Sequence, residues 1–469
     1  MREFSFEKRK RLVMKQIALV LCLVALALAV DNSIIAKLNN PSDLYELEKY
    51  LNGTGAILVP LDTHSKRNIY FAVQNYTWPI DNTLISGTGF IIESVPPHVQ
   101  HFTPTDPLYT NQKYLSFINV PKAWNTFGQG SSSQVIAIVD SGRIRNNSDL
   151  GNFWINTVDH PPADGIDQDD NGYIDDFNGG WNVVNNINSP VETGIPINGG
   201  SYFFSHGSAV WTTAAAPSNG YGIVGVSPKT RVVIVKAGVV SGSDVYFSAE
   251  NLILGMDYIY ALKHINHVNI PVQIASYGGG GYSAILENAT QETLDTTTLF
   301  VVSAGNYNSN NDNTPLYPCN YNIENMLCVA AIETNGEPST YTNYGVSTVD
   351  LSAPGTVIAP AVYPNGNGLF VWASGTSFSA PLVGGAAALL FGYNSTLTPL
   401  QVKACIRSSV AHSGYSLRTI TNGYLNVYGA GVACSPALAQ SGGVPPTSSP
   451  PTHTGSSSTV VLGIFSILL

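Results

Sequence analysis

The chain has 469 residues, 44% of them hydrophobic and 11% charged, with 44 glycines and a formal net charge of −10. That length holds one large domain plus a smaller one, and the hydrophobic share is enough for a sizeable core. The negative balance and the lack of a basic stripe argue against a nucleic-acid partner, since nothing would neutralise phosphates, and the sparse charge suits an extracellular protein.

The amino terminus reads as a targeting segment. "EKRKRLVMKQ" is basic, and Ile17 to Val30 give 14 apolar residues in a row, ending in an A-x-A pattern at Ala27 and Ala29. This predicts a cleaved secretory signal over residues 1–30, too short for a comfortable membrane span; an uncleaved signal anchor is the alternative. Cys22 would leave with the signal. Residues 31–104 read as a small mixed α/β unit, in which helical "PSDLYELEKYL" precedes strand-like "AILVPL", "IYFAVQ" and "GFIIESV".

From about Pro121 short β runs alternate with helices. The runs "VIAIVD", "RVVIVKAGVV", "PVQIASY", "LFVVSAGN" and "MLCVAAI" predict strands. Ala249 to His264, "SAILENATQETLDTTT" and the run beginning at Ser377 predict helices. Continuous β-branched runs without polar alternation fit strands buried on both faces. Their alternation with helices predicts an α/β fold with a mainly parallel central sheet and helices on both sides. In such sheets the chemistry gathers at the carboxyl ends of the strands. Residues 436–458 are a Pro/Ser/Thr-rich linker that cannot form a core. The apolar tail 459–469, preceded by Ser441, Gly442 and Gly443, matches a GPI-attachment signal or is a greasy terminus on a plainly secreted protein.

Four cysteines remain after the signal: Cys319, Cys328, Cys405 and Cys434. An even set on an oxidising route implies disulfides. Three pairings are open, and the sequence neighbours, Cys319 with Cys328 and Cys405 with Cys434, are favoured because each closes a short loop. Asn52, Asn75, Asn146, Asn288 and Asn394 each begin a glycosylation sequon, consistent with a secreted surface.

Four polar residues stand at element ends beside Gly or Ser. "VIAIVDSG" ends on Asp140, "FFSHGSAV" sets His206 at the start of a small-residue helix, "LFVVSAGN" ends on Asn306, and "ASGTSFSAPLVGG" sets Ser377 before an apolar run. Each alone has an ordinary reading: a turn former, a capping or partly buried histidine, a turn residue after Gly305, a hydroxyl capping a helix. Together they supply a nucleophile, a base to take its proton, a carboxylate to orient the base, and amide donors for an oxyanion.

On these motifs the chain resembles the subtilisin-like serine proteases (subtilases). It has the Asp, His, Ser order, "IVDSG", "SHGSAV" with downstream "IVGVSP", "ASYGGG", "VSAGN", "YPCNYNIENMLCVAA", "LSAPG" and "GTSFSAPLVGGAAALL". The resemblance implies a subtilisin-like three-layer fold over 105–435 and hydrolysis of protein or peptide substrates. Asp140, His206 and Ser377 would be the triad, and Asn306 an oxyanion donor. The backbone of Ala275, Ser276, Tyr277, Gly278 and Gly279 would pair with an extended substrate. It implies that residues 31–104 are an inhibitory propeptide, an intramolecular inhibitor removed near Gln100 to Thr105. The mature protein is expected to be a monomer, with GPI-mediated membrane attachment if the tail is such a signal. The chain departs from the family pattern at Ser208 and Ala209, at "NNSDL" (only Asp149 and Leu150 kept) and at Phe378. The rivals are a non-catalytic, GPI-linked adhesion module on the same scaffold and another serine hydrolase such as an esterase.

The acidic stretch "ADGIDQDDNGYIDDFNGGW" places Asp167, Asp169, Asn171, the Tyr173 carbonyl and Asp175 at positions 1, 3, 5, 7 and 9 of an EF-hand-like loop, with Gly172 at its turn and Asn178 at position 12. The resemblance implies structural Ca2+ here; a solvated acidic loop is the alternative. His264 and His267 read as a solvated helix face rather than a metal pair.

Overall fold

The computed structural model describes residues 102–435, with short interruptions at 160–162, 193, 198–201, 242–243, 280, 364 and 366–367. Before that range it describes five strands and the helical residues Leu44 and Glu48, and after it one strand. The expected signal, the linker, Asn52 and Asn75 lie outside the described residues, as does most of the helix expected at 41–51.

The chain divides into two compact units, 1–100 and 101–469. In the first, β1 (Ser33–Leu38), β2 (Ile57–Pro60), β3 (Tyr70–Gln74), β4 (Ile85–Gly87) and β5 (Phe90–Val95) form an antiparallel sheet in the order β2-β3-β1-β5-β4. β2, β3 and β5 fall on the expected runs. β1 was not expected, because "SIIAKL" sits directly behind a longer apolar segment and looks like its end. It is nevertheless a central strand, paired with β3 and β5.

The second unit is built on six parallel strands in the order β15-β14-β13-β12-β6-β9: β6 (Val135–Asp140), β9 (Arg231–Lys236), β12 (Val272–Ala275), β13 (Leu299–Ser303), β14 (Met326–Ile332) and β15 (Leu351–Pro354). Every residue of β6 is buried. Ile136 and Ile138 join one core cluster with helices His206–Ala215 and Thr376–Tyr393, whereas Val135, Ala137 and Val139 join a second with Ala249–His264 and Ala284–Leu294. A strand covered on both faces needs apolar side chains at successive positions, which is why the run shows no period of two. Burying each such Val or Ile stabilises the fold by about 1.5–3 kcal/mol. β6 lies between β9 and β12, the point where the strand order reverses and where open α/β sheets place their sites.

The remaining strands were not expected. β7 (Ile195–Ile197), β8 (Tyr202–Phe204), β16 (Thr356–Val362) and β17 (Gly368–Ser374) form an antiparallel sheet in the order β17-β16-β8-β7. The run "RVVIVKAGVV" is not one strand but two, β9 and β10 (Val239–Ser241). The break has a cause: the N–H groups of Ala237 and Gly238 both turn to the Asp140 carbonyl, at 2.8 and 3.1 Å. β10 pairs with β11 (Asp244–Ser248), and β11 pairs antiparallel with β18 (Ile464–Ile467), part of the apolar tail. The disulfides Cys319–Cys328 and Cys405–Cys434 join sequence neighbours. Among the described residues only Thr376–Tyr393 is long and apolar enough to cross a membrane, and it is buried inside the fold.

Two adjacent glycines seat that helix. A Cβ at Gly384 would stand 2.6 Å from Ile274 Cδ1 of β12, and one at Gly385 would stand 2.6 Å from the Ala214 carbonyl oxygen. The helix that begins near Ser377 therefore packs backbone to backbone on the helix that begins at His206. Gly385→Ala is expected to lower stability by about 1–3 kcal/mol, the usual cost of forcing a methyl into a close-packed core, read as a fall in the urea midpoint.

Candidate active site

The end of β6 and the start of helix His206–Ala215 meet. Asp140 and His206 are fully excluded from solvent, with His206 Nδ1 at 2.8 Å from Asp140 Oδ1 and 3.1 Å from Oδ2. A carboxylate only accepts, so Nδ1 carries the proton and Nε2 of the neutral ring is left as an acceptor. Asp140 Oδ1 also accepts the Ser141 N–H at 2.7 Å. His206 is the first residue of its helix and does not cap it. The cap is Ser205, whose Oγ accepts the Ser208 N–H at 3.2 Å. His206 Nε2 is buried without a hydrogen-bond partner among the described residues.

Ser377 is brought to the same place. It is the second residue of helix Thr376–Tyr393, and the helix is capped by Gly375 with no side-chain hydrogen bond, so the capping role open to Ser377 is not the one it fills. Its N–H makes no hydrogen bond with another described residue and points with the first turn's positive dipole. The following residue, Phe378, packs its ring 5.6 Å from the His206 ring. Ser377 Oγ donates to the Ser276 carbonyl at 3.3 Å rather than to His206, and Ser276 Oγ donates to the Ser377 carbonyl at 2.8 Å.

Asn306 follows β13 and faces the same helix start. Its Oδ1 accepts from Thr376 N and from Thr376 Oγ1, both at 2.9 Å, which fixes the orientation of its amide. Thr376 Oγ1 in turn accepts the Gly305 N–H at 3.1 Å. Gly305 has φ 107°, and a Cβ there would stand 2.6 Å from the Asn343 side chain, so the turn that delivers Asn306 requires glycine. A small cavity is lined by Ser377, Thr376, Asn306, Ser276, Tyr277 and Gly278, among others. Ala275 and Gly279, expected beside them, do not line it. Ala275 belongs to the β12 ladder between Val139 and Val302, and Gly279 exchanges both backbone hydrogen bonds with Tyr317 at 2.8 Å. Thr376 and Asn343 escaped the sequence reading, since threonine and asparagine in loops carry no periodic signal.

The buried Asp–His pair, the serine and the orienting amide are gathered from the starts of two helices and the ends of two strands. Residues 131–431 match the profile of the Subtilase family. The chain belongs to the subtilase family. It is 26% identical over 353 residues to Subtilisin-like protease 2 of Plasmodium falciparum, an alignment covering 72% of this chain and 23% of that protein. It is 28% identical over 290 residues to Thermitase of Thermoactinomyces vulgaris, covering 62% of this chain and 85% of that one. A protease structure from Pseudoalteromonas arctica superposes with a TM-score of 0.58 at 24% identity, over 71% of this chain and 100% of that chain, and shares the fold. The chain thus spans about a quarter of the Plasmodium protein's own length.

Ser208 and Phe378, which depart from the family pattern, and Asp149, which keeps it, all have defined partners. Ser208 Oγ accepts the Ile144 N–H at 2.8 Å. Asp149 is buried and accepts the Ile223 N–H at 2.9 Å, and burial pushes its carboxyl up to about 7. Phe378 packs edge-on to Phe204 at 6.3 Å. Of the described sequons, Asn146 and Asn288 are exposed and Asn394 is half-buried, its Oδ1 accepting from Thr396.

Carboxylate oxygens of Asp159, Asp169 and Asp176 lie within 4.8 Å of one another. Of the three expected carboxylate ligands Asp169 belongs to that cluster, and Asn171 Nδ2 donates to Asp176 Oδ2 beside it at 3.2 Å. Asp167 accepts the Gly172 and Asn171 N–H groups at 2.7 and 3.2 Å. Asp175 accepts those of Asp164 and Gly165 at 3.1 and 3.0 Å. Asn171 spends its Oδ1 on the Tyr173 N–H at 2.7 Å, and the Tyr173 hydroxyl donates to Asp257 at 2.7 Å. Asp159 precedes the stretch by several residues and had no spacing to announce it. Burial pushes Asp176 up to about 6 and Asp159 above the usual carboxylate range. Asp159 Oδ1 accepts the Gln168 N–H at 2.9 Å, but Oδ2 is buried without a partner among the described residues. The His264 ring lies tilted against Tyr260, centroids 4.2 Å apart, and its Nε2 is 3.6 Å from Asp295.

Thr376 is the test of how the Asn306 amide is held. Thr376→Val keeps the volume but orphans the Gly305 N–H and removes a donor from Asn306, so a loss of about 1–3 kcal/mol is expected, measured by chemical denaturation.

Proposed function

We propose that this subtilase is a secreted serine endopeptidase, made as a zymogen, that cleaves protein or peptide substrates through an acyl-enzyme on Ser377. The observation that carries the reading is the buried Asp140–His206 contact, which leaves His206 Nε2 without a partner beside the helix start that holds Ser377. In this mechanism Ser377 Oγ swings from the Ser276 carbonyl towards Nε2, a tightening usual when substrate arrives. His206 takes the proton as Oγ attacks the scissile carbonyl, then gives it to the leaving amine. Asp140 holds the ring in the Nδ1–H tautomer and stabilises the imidazolium. The Ser377 N–H and the Asn306 side-chain amide would receive the oxyanion, each such donor being worth about 3 kcal/mol. Water then releases the acyl group by the reverse proton path.

Ser276, Tyr277 and Gly278 form the wall against which an extended substrate backbone would lie, a mode that needs no particular side chain and permits broad specificity. Residues 31–104 fit an inhibitory propeptide in size and in their mixed α/β character, with self-cleavage near 100–105. The basic-then-apolar start, the two disulfides and the sequons support an extracellular, monomeric product; the tail would add GPI attachment to the membrane.

Labelling with a fluorophosphonate probe tests the reading. Mature wild type is expected to label, and Ser377→Ala to remain both unlabelled and unprocessed on the same gel. A folded, propeptide-free wild type that takes no probe would overturn it and favour the adhesion module. Hydrolysis of simple esters but of no peptide would favour an esterase.

A calcium ion would be held by Asp159, Asp169 and Asp176, where the partnerless Asp159 oxygen and three crowded carboxylates fit a hard cation with oxygen ligands. The ion would supply the positive charge that lets these buried groups remain ionised together and would pin the loop to the fold. Chelation is expected to lower Tm by about 5 °C or more, with calcium restoring it, as binding to the folded state alone requires. Asp159→Asn should abolish the difference between chelated and calcium-loaded protein; an unchanged difference would count against this ligand set.

A further inference from the structure

One buried acid near the triad is used neither by the hydrolytic mechanism nor by the acidic loop. Glu192 lies on the segment that follows Pro190, and its backbone N–H donates to the Arg143 carbonyl at 2.9 Å while the Arg143 N–H donates to the Pro190 carbonyl at 2.9 Å. This holds Glu192 beside the turn that leaves β6. Its Oε1 accepts from two hydroxyls, Ser141 Oγ at 2.9 Å and Ser205 Oγ. Those serines are the residue after Asp140 and the residue before His206. Ser141 Oγ accepts the Gly207 N–H at 3.0 Å. The hydroxyls of Ser205 and Ser208 are hydrogen-bonded at 2.8 Å. Ser205 Oγ thus has both the Glu192 carboxylate and Ser208 Oγ within hydrogen-bond reach. Ser208 Oγ itself accepts the Ile144 N–H at 2.8 Å.

The result is a ring, closed through the backbone of Gly207 and Ser208, whose two hydrogen-bonded arms meet at one Glu192 oxygen. From one side Ile144 N–H, Ser208 Oγ and Ser205 Oγ lead to Glu192, and from the other Gly207 N–H and Ser141 Oγ lead to it. The ring stitches the residues after β6 to the first turn of the His206 helix, on either side of the Asp140–His206 contact. Only an acceptor can close it, because both arms arrive as donors.

We propose that Glu192 is a positioning residue of the hydrolytic centre, holding Asp140 and His206 in register by accepting the Ser141 and Ser205 hydroxyls at once. The inference rests on the reading of Asp140, His206 and Ser377 as the triad. Glu192 touches no reacting atom. It acts through the two serines that flank the pair, and a shift of about 1 Å in that pair is enough to cost about a hundredfold in rate. The carboxylate stands among few other charges: burial and the Asp140 charge push its carboxyl up, while the two hydroxyls and Lys236 oppose the rise.

The test compares Glu192→Gln with Glu192→Ala on the full chain, using chains shown by gel to share the wild-type amino terminus. Peptide hydrolysis and the rate of fluorophosphonate labelling are both measured. Glutamine keeps an oxygen that accepts both hydroxyls and should stay within about threefold of wild type in kcat, whereas alanine should lose about 10- to 100-fold in kcat and in labelling rate with KM nearly unchanged. A folded alanine variant with near-wild-type kcat would overturn the proposal. So would a glutamine variant as impaired as alanine, because the acceptor would then not be what matters. Should the alanine variant fail to fold, Ser141→Ala removes one arm alone; the same selective loss of kcat is expected, and an unchanged kcat overturns the proposal. Wild type that takes no probe would end the peptidase reading itself, a result distinct from any difference among Glu192 variants.

Discussion

Asp140 is the residue on which the arrangement depends, because each of its acceptors holds a different part of the fold. Its carbonyl oxygen gathers the N–H groups of Ala237 and Gly238, which ends β9 and turns the chain away. Its carboxylate takes the Ser141 N–H and His206 Nδ1. A carboxylate with no exposure to water survives only when such donors replace its hydration. Removing them would leave an unpaired buried charge, which is far more costly than the net worth of any one bond. The same bonds that make burial tolerable therefore also fix the histidine.

Position in the sheet explains why this residue can do so. β6 is flanked by parallel neighbours on both edges, and both its faces are covered by helices. Its carboxyl end thus opens where the strand order reverses, and the helix starts at His206 and Thr376 both arrive there. They approach this closely because Gly384 and Gly385 leave no side chain between the Ser377 helix and its neighbours. Close packing carries the geometry further: Phe378 lies against both the His206 ring and Phe204, so a residue adjoining the serine also bounds the histidine. Ser377 is placed by backbone contact of its helix and one aromatic neighbour, with its own hydroxyl bonded to the Ser276 carbonyl.

What could be read in the sequence follows from how local each signal is. β6, β13 and β14 are largely apolar runs because they are covered on both sides, and the ends of β6 and β13 pointed to Asp140 and Asn306 once read together with His206 and Ser377. β17 was missed because it is an edge strand whose residues are all half-buried or exposed. In the acidic loop alternate acids suggested one coordination sphere; Asp175 adopts φ 56° and turns back on Asp164 and Gly165, while the next residue, Asp176, enters the carboxylate cluster. Glu192 had no signal at all. A lone glutamate after a proline says nothing about two serines, one about fifty residues before it and one just after it, until the fold brings their hydroxyls to one oxygen.

The departures from the family pattern make sense when judged by what each side chain does. Ser208 supplies a hydroxyl that takes the Ile144 N–H and bonds to Ser205. Phe378 supplies a rigid ring that packs edge-on to Phe204. Asp149 keeps its carboxylate in a buried setting where it accepts a backbone N–H. At Ser208 what counts is a hydroxyl and at Phe378 a large apolar volume. That is the behaviour expected where hydrogen-bond direction and packing, not residue identity, are what the centre needs, and it is why a carboxylate from an unannounced loop can serve as the keystone of the serine ring around Asp140 and His206.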